Sequence, residues 1–129
     1  MVKTLIINDN QHVVEFIKLS LNKYDFSIKV IKSKEDVFLQ IEKEKPHIVI
    51  LGLVIKEDDG ILLCKEIRQH FQILDFYIVM LSSLKDSELM IESFNAGADD
   101  YIVQPLSPQL FAKKIFAILK RNSKQSGAA

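Results

Sequence analysis

Hydrophobic residues along this chain alternate between short dense runs and longer spaced stripes. Leu5-Ile6-Ile7 is a compact apolar run that breaks into Asn8-Asp9-Asn10, the pattern of a buried strand ending at an edge. Asn10 stands at a helix N-cap position, and Val13, Phe16, Ile17, Leu19 and Leu21 then mark an apolar helical face. Phe26-Ser27-Ile28-Lys29-Val30-Ile31 reads as a second strand. Ser33 is the next expected cap, with Asp36 three residues on and Val37, Phe38 and Ile41 as the apolar stripe. Lys45-Pro46 stops that helix. His47-Ile48-Val49-Ile50-Leu51 is a third strand, apolar almost throughout.

The second half repeats the rhythm. Asp58-Asp59-Gly60 is turn chemistry, and Ile61, Leu62, Cys64 and Ile67 follow at helical spacing. Phe76-Tyr77-Ile78-Val79-Met80-Leu81 is a fourth strand, and a helix from Leu84 to Ala96 closes at Gly97. Tyr101-Ile102-Val103 is a short fifth strand. Ser107-Pro108 opens a last helix with proline in its first turn, carrying Leu110, Phe111, Ile115, Ile118 and Leu119. Residues 122–129 are small and polar and read as a flexible tail or linker stub after a domain of residues 1–121.

Five apolar strands alternating with five helices predict an α/β fold with a parallel sheet covered on both faces through right-handed crossovers. In such sheets ligands gather at the carboxyl ends of the strands, near the topological switch point. Four polar groups fall there: Asn8-Asp9, Gly52, Ser82-Ser83 and Gln104-Pro105. Composition narrows the function. A chain of 129 residues, 48% hydrophobic, is enough for one core of ordinary size. A formal net charge of zero, with no basic run before the last dozen residues, argues against direct nucleic-acid binding by this segment. The single cysteine, Cys64, excludes an intramolecular disulfide, fits a reducing compartment and is expected to be a small buried residue. No secretory leader or membrane span is apparent, so a cytoplasmic location with no membrane partner is expected.

The chemistry-bearing residues are few. His12, His47 and His70 lack metal-ligand spacing, no glycine-rich phosphate loop is present, and no Ser-His-Asp order stands out. Asn8 and Asp9 alone read as a strand-end polar residue and a helix-capping acid, Ser82 and Ser83 as turn residues, and Gly60 as a turn glycine. Lys56-Glu57-Asp58-Asp59 reads as a solvated loop, or as a source of an out-of-register acceptor or oxygen ligand.

The whole span from residue 3 to about residue 121 resembles the CheY-like receiver domain of response regulators. The resemblance rests on Lys3-Thr4-Leu5-Ile6-Ile7-Asn8-Asp9, Lys45-Pro46-His47-Ile48-Val49-Ile50-Leu51-Gly52, Asp59-Gly60, Met80-Leu81-Ser82-Ser83, and Gly97-Ala98-Asp99-Asp100-Tyr101-Ile102-Val103-Gln104-Pro105. It implies a flavodoxin-like doubly wound sheet of five parallel strands in the order 2-1-3-4-5. It also implies a cis bond at Gln104-Pro105, X-Pro being the linkage where cis costs least. The family's reaction moves a phosphoryl group from a kinase histidine to an aspartate after the third strand. Two acids after the first strand hold Mg²⁺, a Ser or Thr after the fourth binds the phosphoryl oxygen, and a Lys before proline after the fifth pairs with the new charge.

Carried onto this chain, the resemblance implies a degenerate site. The acceptor position is Gly52, the lysine position is Gln104, and the first acid is Asn8, leaving Asp9 as the one carboxylate and only a weak metal candidate. Ser82 keeps the hydroxyl and Tyr101 the switch aromatic. Gln104 is expected to point into the site and hydrogen-bond a neighbour. A lysine beside a missing acid is a poorly compensated cation, so glutamine at 104 and glycine at 52 make physical sense together.

These features imply a pseudo-receiver, not an enzyme, with no cofactor and weak or absent Mg²⁺ binding. It would act through a protein partner: a kinase, an output domain or a second copy. The family's signalling face, made by the fourth helix, fifth strand and fifth helix, maps to Lys85, Glu88, Glu92, Asn95, Tyr101, Gln109, Lys113 and Lys120. Two alternatives stay open: a receiver still phosphorylated on Asp9 or Asp58, and a small flavodoxin-like enzyme or ligand-binding domain.

Overall fold

In the computed structural model, residues 1–128 are described, with side chains to residue 121. The elements run β1 (Val2–Ile7), α1 (Gln11–Leu21), β2 (Phe26–Ile31), a 3-10 turn (Lys34–Asp36), α2 (Val37–Glu44), β3 (Ile48–Gly52), β4 (Val54–Ile55), β5 (Asp58–Asp59), α3 (Gly60–His70), β6 (Tyr77–Ser82), α4 (Ser87–Asn95), β7 (Asp100–Val103) and α5 (Pro108–Ala128). The flexible tail expected at 122–129 concerns residues whose side chains, and residue 129 altogether, lie outside the described set.

The main sheet is ordered β2-β1-β3-β6-β7, and every neighbouring pair is parallel. Counting its five strands alone, the order is the expected 2-1-3-4-5. Strand β3 is central and all five of its residues are buried, as its unbroken apolar run requires when helices cover both faces. One layer of core packs Val37, Ile41, Leu63, Cys64 and Ile67 onto one sheet face. The other packs Val14, Ile17, Leu21, Phe111, Ile115 and Ile118 onto the opposite face. Phe16 meets the fully buried Phe111 edge to face, with ring centroids 5.3 Å apart.

The helical faces differ from the expected stripes. In α1 the buried residues are Val14, Ile17, Ser20 and Leu21, while Leu19 is 60% exposed. Stepping back by three and by four from Ile17 and Leu21 reaches Val14 and not Leu19. Ser20 can be buried because its hydroxyl donates to the Phe16 carbonyl at 2.7 Å. In α3 the inward residues are Gly60, Leu63, Cys64 and Ile67, and Leu62 is 53% exposed. Leu110 likewise faces out of α5. Ser33 precedes only the 3-10 turn and makes no capping bond, so α2 starts at Val37. Asn10 does cap α1, its Oδ1 accepting from the His12 and Val13 amides.

Asp58-Asp59-Gly60 is not the turn. The reversal lies at Lys56 and Glu57, between the antiparallel β4 and β5, with Lys56 in the left-handed region at φ 57°. Asp59 instead caps α3, its Oδ1 accepting from the Ile61 amide at 2.9 Å and the Leu62 amide at 3.2 Å. Gly60 opens that helix against the end of β3. Its amide donates to the Leu53 carbonyl at 2.6 Å, and a Cβ there would overlap the Gly52 carbonyl oxygen and lie 2.8 Å from that of Leu53.

Arg68 locks the far end of the sheet. Its guanidinium donates to the carbonyls of Gly97 and Phe76, both at 2.8 Å, and to Asp99 Oδ2 at 2.6 Å. The same carboxylate oxygen accepts from the Ile78 amide. One side chain thus ties α3 to β6 and to the α4–β7 turn.

Two predictions follow from this packing. Gly60→Ala should destabilise the fold by about 3 kcal/mol, because the obstacle is backbone that cannot move aside. Asp59→Ala should cost about 1 kcal/mol, through the lost cap. Urea midpoints measured on both variants check the ranking, and an equal or larger loss for Asp59→Ala would refute it. Cys64 is fully buried, and burial pushes its thiol up from 9.0 to about 11, with Arg68 opposing and Asp99 adding to the rise. The native state keeps this proton after an unfolded thiol would lose it. Its stabilising contribution is therefore complete below pH 9 and is lost as pH rises through about 11. Native protein should resist iodoacetamide at pH 8 and react stoichiometrically only after denaturation.

Candidate functional site

Strand length and register bring the four polar groups to one end of the sheet. Asn8 follows β1, Gly52 ends β3, Ser82 ends β6 and Gln104 follows β7. Together with Asp9 and Ser83 they line a cleft of about 330 Å³. Leu53, Val54, Leu81 and Leu84 contribute apolar wall to the same cleft.

Asn8 is only 7% exposed, and its amide donates to the Ile31 carbonyl at 3.0 Å. Its Oδ1 accepts from the Asn10 amide at 2.9 Å, which fixes the side-chain amide with Nδ2 on the other side. That nitrogen lies 2.9 Å from where a Cβ at position 52 would sit. The side chain of Asn8 therefore borders the space that an acceptor carboxylate on β3 would enter. Asp9 is exposed at the mouth.

On the opposite wall, Ser82 Oγ accepts from the Leu84 amide at 2.9 Å. The Leu84 carbonyl in turn accepts from Tyr101 Oη at 2.7 Å, and Tyr101 is 6% exposed. Both main-chain groups of Leu84 are thus held by side chains from β6 and β7. This is why α4 does not begin at Leu84: its first turn waits for Asp86, whose Oδ1 caps the Glu88 and Leu89 amides.

Gln104–Pro105 is cis, as expected. The Gln104 amide donates to the Ser82 carbonyl at 2.7 Å, and the residue lines the cleft. Its side chain, however, makes no hydrogen bond among the described residues, contrary to the sequence expectation. The physical reason is local. Position 52 offers no side-chain partner, and the Gln104 side-chain amide as placed makes no bond to either the Asn8 amide or the Ser82 hydroxyl across the cleft.

The acidic loop residues stand apart from this cluster. Asp58 pairs with Lys34 Nζ at 3.6 Å, and Asp59 is spent on the α3 cap. His12 is exposed, His47 Nδ1 accepts from the Lys3 amide at 2.9 Å, and His70 packs edge-on to Phe71 and Phe38. Among the described residues, no three His, Cys, Asp or Glu side chains gather as a metal-binding group.

Lys85, Glu88, Glu92 and Asn95 are exposed on or just before α4, and Gln109, Lys113 and Lys120 on α5. Sequence reasoning missed the apolar members of this surface, Ile91 and Phe94 on α4, both exposed. The inward spacing of Leu89, Met90 and Ser93 is the signal that turns them outward. It also missed Arg121, which ties α5 to β7 by bonding the Asp99 carbonyl at 2.8 Å and Asp100 Oδ2 at 3.3 Å.

Residues 4–116 match the family model for the response regulator receiver domain. Among curated proteins the chain is 32% identical over 121 residues to the alkaline phosphatase synthesis transcriptional regulatory protein PhoP of Bacillus subtilis, covering 93% of this chain and 49% of that protein. It is 31% identical over 122 residues to the probable transcriptional regulator ycf27 of Guillardia theta, covering 95% and 47%. The chain thus spans about half the length of these curated relatives. Among solved structures, a response regulator described as putative from Chloroflexus aurantiacus J-10-fl superposes with a TM-score of 0.84 at 32% identity, over 93% of this chain and 98% of that one. The BeF3-activated N-terminal receiver domain of Klebsiella pneumoniae RstA gives 0.82 at 28% identity, over 92% and 99%.

The clasp on Leu84 is open to a direct test. Tyr101→Phe removes one buried hydrogen bond and leaves the ring, so it should cost about 1 kcal/mol. Amide exchange at residues 83–86 should accelerate, while the β1 and β3 amides keep their protection. Unchanged exchange in that loop would show that Tyr101 does not restrain it.

Proposed function

The chain belongs to the response regulator receiver domain family, and within it we propose a pseudo-receiver, a two-component signalling module that works through protein contact without phosphorylation. The observation that carries this reading is position 52. The residue at the end of β3 is glycine, and the Asn8 amide borders the space where the acceptor side chain would project. Two further features support it. Gln104 supplies no cation, and Asp9 is the one carboxylate of the cleft's polar group.

A phosphoryl group switches a receiver by making stronger contacts in one conformation than in the other. Without the acceptor and the lysine, a phosphodonor has no differential contact through that route and shifts nothing. The domain then holds one conformation by default, with the Ser82–Leu84–Tyr101 clasp closed. Partners are met on the face of α4, β7 and α5. The partner is a kinase, an output domain or a second copy, and the setting is the cytoplasm. The two curated relatives are regulators of transcription by name and about twice this chain's length, which supports a role as the receiver half of such a protein. Resident Mg²⁺ is not part of this reading, because a single carboxylate is a poor exchange for the ion's water shell.

Incubation with acetyl phosphate and Mg²⁺, followed by intact-mass measurement, should leave the protein's mass unchanged. Gly52→Asp alone should gain little, since the metal pair and lysine are still missing. The combination of Asn8→Asp, Gly52→Asp and Gln104→Lys should gain one phosphate. Millimolar Mg²⁺ should give no localised NMR shift at Asp9 in the unaltered chain. A phosphate on the unaltered protein, at Asp9, Asp58 or elsewhere, would defeat the proposal.

A further inference from the structure

Between α3 and α4 runs a groove with an apolar floor and an acidic rim, which shares the Leu53, Val54 and Leu84 wall with the receiver cleft and continues away from it along α3 and α4. Its upper part, about 390 Å³, is walled by Leu53, Val54, Ile61, Leu84 and Leu89. Its lower part, about 320 Å³, continues along Ile61, Leu62 and Ala96. The two parts share Asp59, Ile61 and Glu92, so they form one channel. Val54, Leu62 and Leu84, which line it, are each more than half exposed.

The rim carries the chemistry of the occupant. Glu57 and Glu92 border the groove with no ion pair among the described residues, beside Asp58, which is held by Lys34, and Asp59, which caps α3; Lys65 is the one cation among the lining residues. From Leu89 to Ala96 the α4 wall rises about 10 Å, room for about two turns of a helix laid alongside. We propose that this groove docks a cationic amphipathic helix of another protein. Leucine-type side chains at i, i+3, i+4 and i+7 would fill the floor, and Lys or Arg would meet the rim. A second copy of this chain fits less well. Its exposed basic strip on α5, with Lys113, Lys114 and Lys120, offers Leu110 as the one large exposed apolar side chain among the described residues of that helix. The inference does not rest on the phosphorylation reading. It concerns a surface that shares only Glu92 and Asn95 with the α4–β7–α5 face.

The probe is a synthetic amphipathic helix of about four turns, leucines at the spacing above and lysines elsewhere, titrated into isotope-labelled protein. A matched peptide with glutamates in place of the lysines is the control. Saturable NMR shifts are expected at Leu53, Ile61, Leu62, Leu89 and Glu92 with the lysine peptide, and none with the glutamate peptide. Leu62→Ser and Glu92→Lys change exposed side chains and should leave the urea midpoint unchanged. Each should weaken binding about tenfold, the scale expected from one lost apolar contact or one reversed charge. Shifts centred on α5 or spread over the whole surface would overturn the proposal. So would equal binding of the two peptides, unchanged affinity in both variants, or self-association of the chain through these same residues.

Discussion

The approach of Gly60 to the backbone of Gly52 sets the geometry of the whole carboxyl end of the sheet. The β3 carbonyl at 52 occupies the place where any side-chain carbon at 60 would sit. Helix α3 can begin there only because residue 60 has no Cβ. Once it does, Asp59 is placed to cap the helix, the Gly60 amide closes on the Leu53 carbonyl, and the chain between is forced into the β4–β5 ladder. Ile55 is drawn fully into the core by that ladder, while Val54 is turned out onto the α3–α4 groove.

The two glycines in this contact differ in kind. Gly60 faces backbone, so its absence of a side chain is a structural requirement. The nearest obstacle at Gly52 is the end of the Asn8 side chain. Position 52 can therefore hold a side chain if Asn8 gives way, and the fold does not demand glycine there. On the proposed reading, glycine at this position is a matter of chemistry and not of what the scaffold can hold. On the other wall, the scaffold keeps the hydroxyl and the aromatic ring, but they serve each other's loop: Ser82 and Tyr101 grip Leu84 from both sides. In a buried setting such bonds are worth most when every member is satisfied, which favours one conformation of the β6–α4 segment.

The inner strands of the main sheet were legible because a parallel sheet covered on both faces needs unbroken apolar runs, and such runs have no phase to misread. Helices are harder, since a surface helix is apolar on one face only and the chain also carries leucines that serve other ends. Leu19, Leu62 and Leu110 each fit a plausible stripe and each points outward. Leu62 lines the groove, so its exposure has a use that periodicity does not encode. The site's residues were legible because the ends of strands are marked by abrupt polarity changes. Their roles came from the resemblance and not from spacing. Arg68 was illegible: its partners Phe76, Gly97 and Asp99 lie eight to thirty-one residues away, and no local pattern announces a guanidinium that joins three elements. The free side chain of Gln104 was misjudged because a resemblance supplies a position in the cleft but not the side-chain placement that decides its hydrogen bonds.

Positions 8, 52 and 104 behave as one electrostatic unit. An aspartate at 8 would stand beside Asp9 with no lysine to offset the pair, and like charges at a restricted site raise each other's pKa. A lysine at 104 with glycine at 52 and asparagine at 8 would face a cleft whose sole carboxylate, Asp9, is exposed at its mouth. An aspartate at 52 alone would crowd the Asn8 amide. A charge introduced at any one of the three positions acts on the other two across the shared cleft, so the energies of such substitutions are not expected to add independently. Asn8, Gly52 and Gln104 leave a cleft whose one carboxylate, Asp9, is exposed at its mouth, so little charge inside it needs compensation.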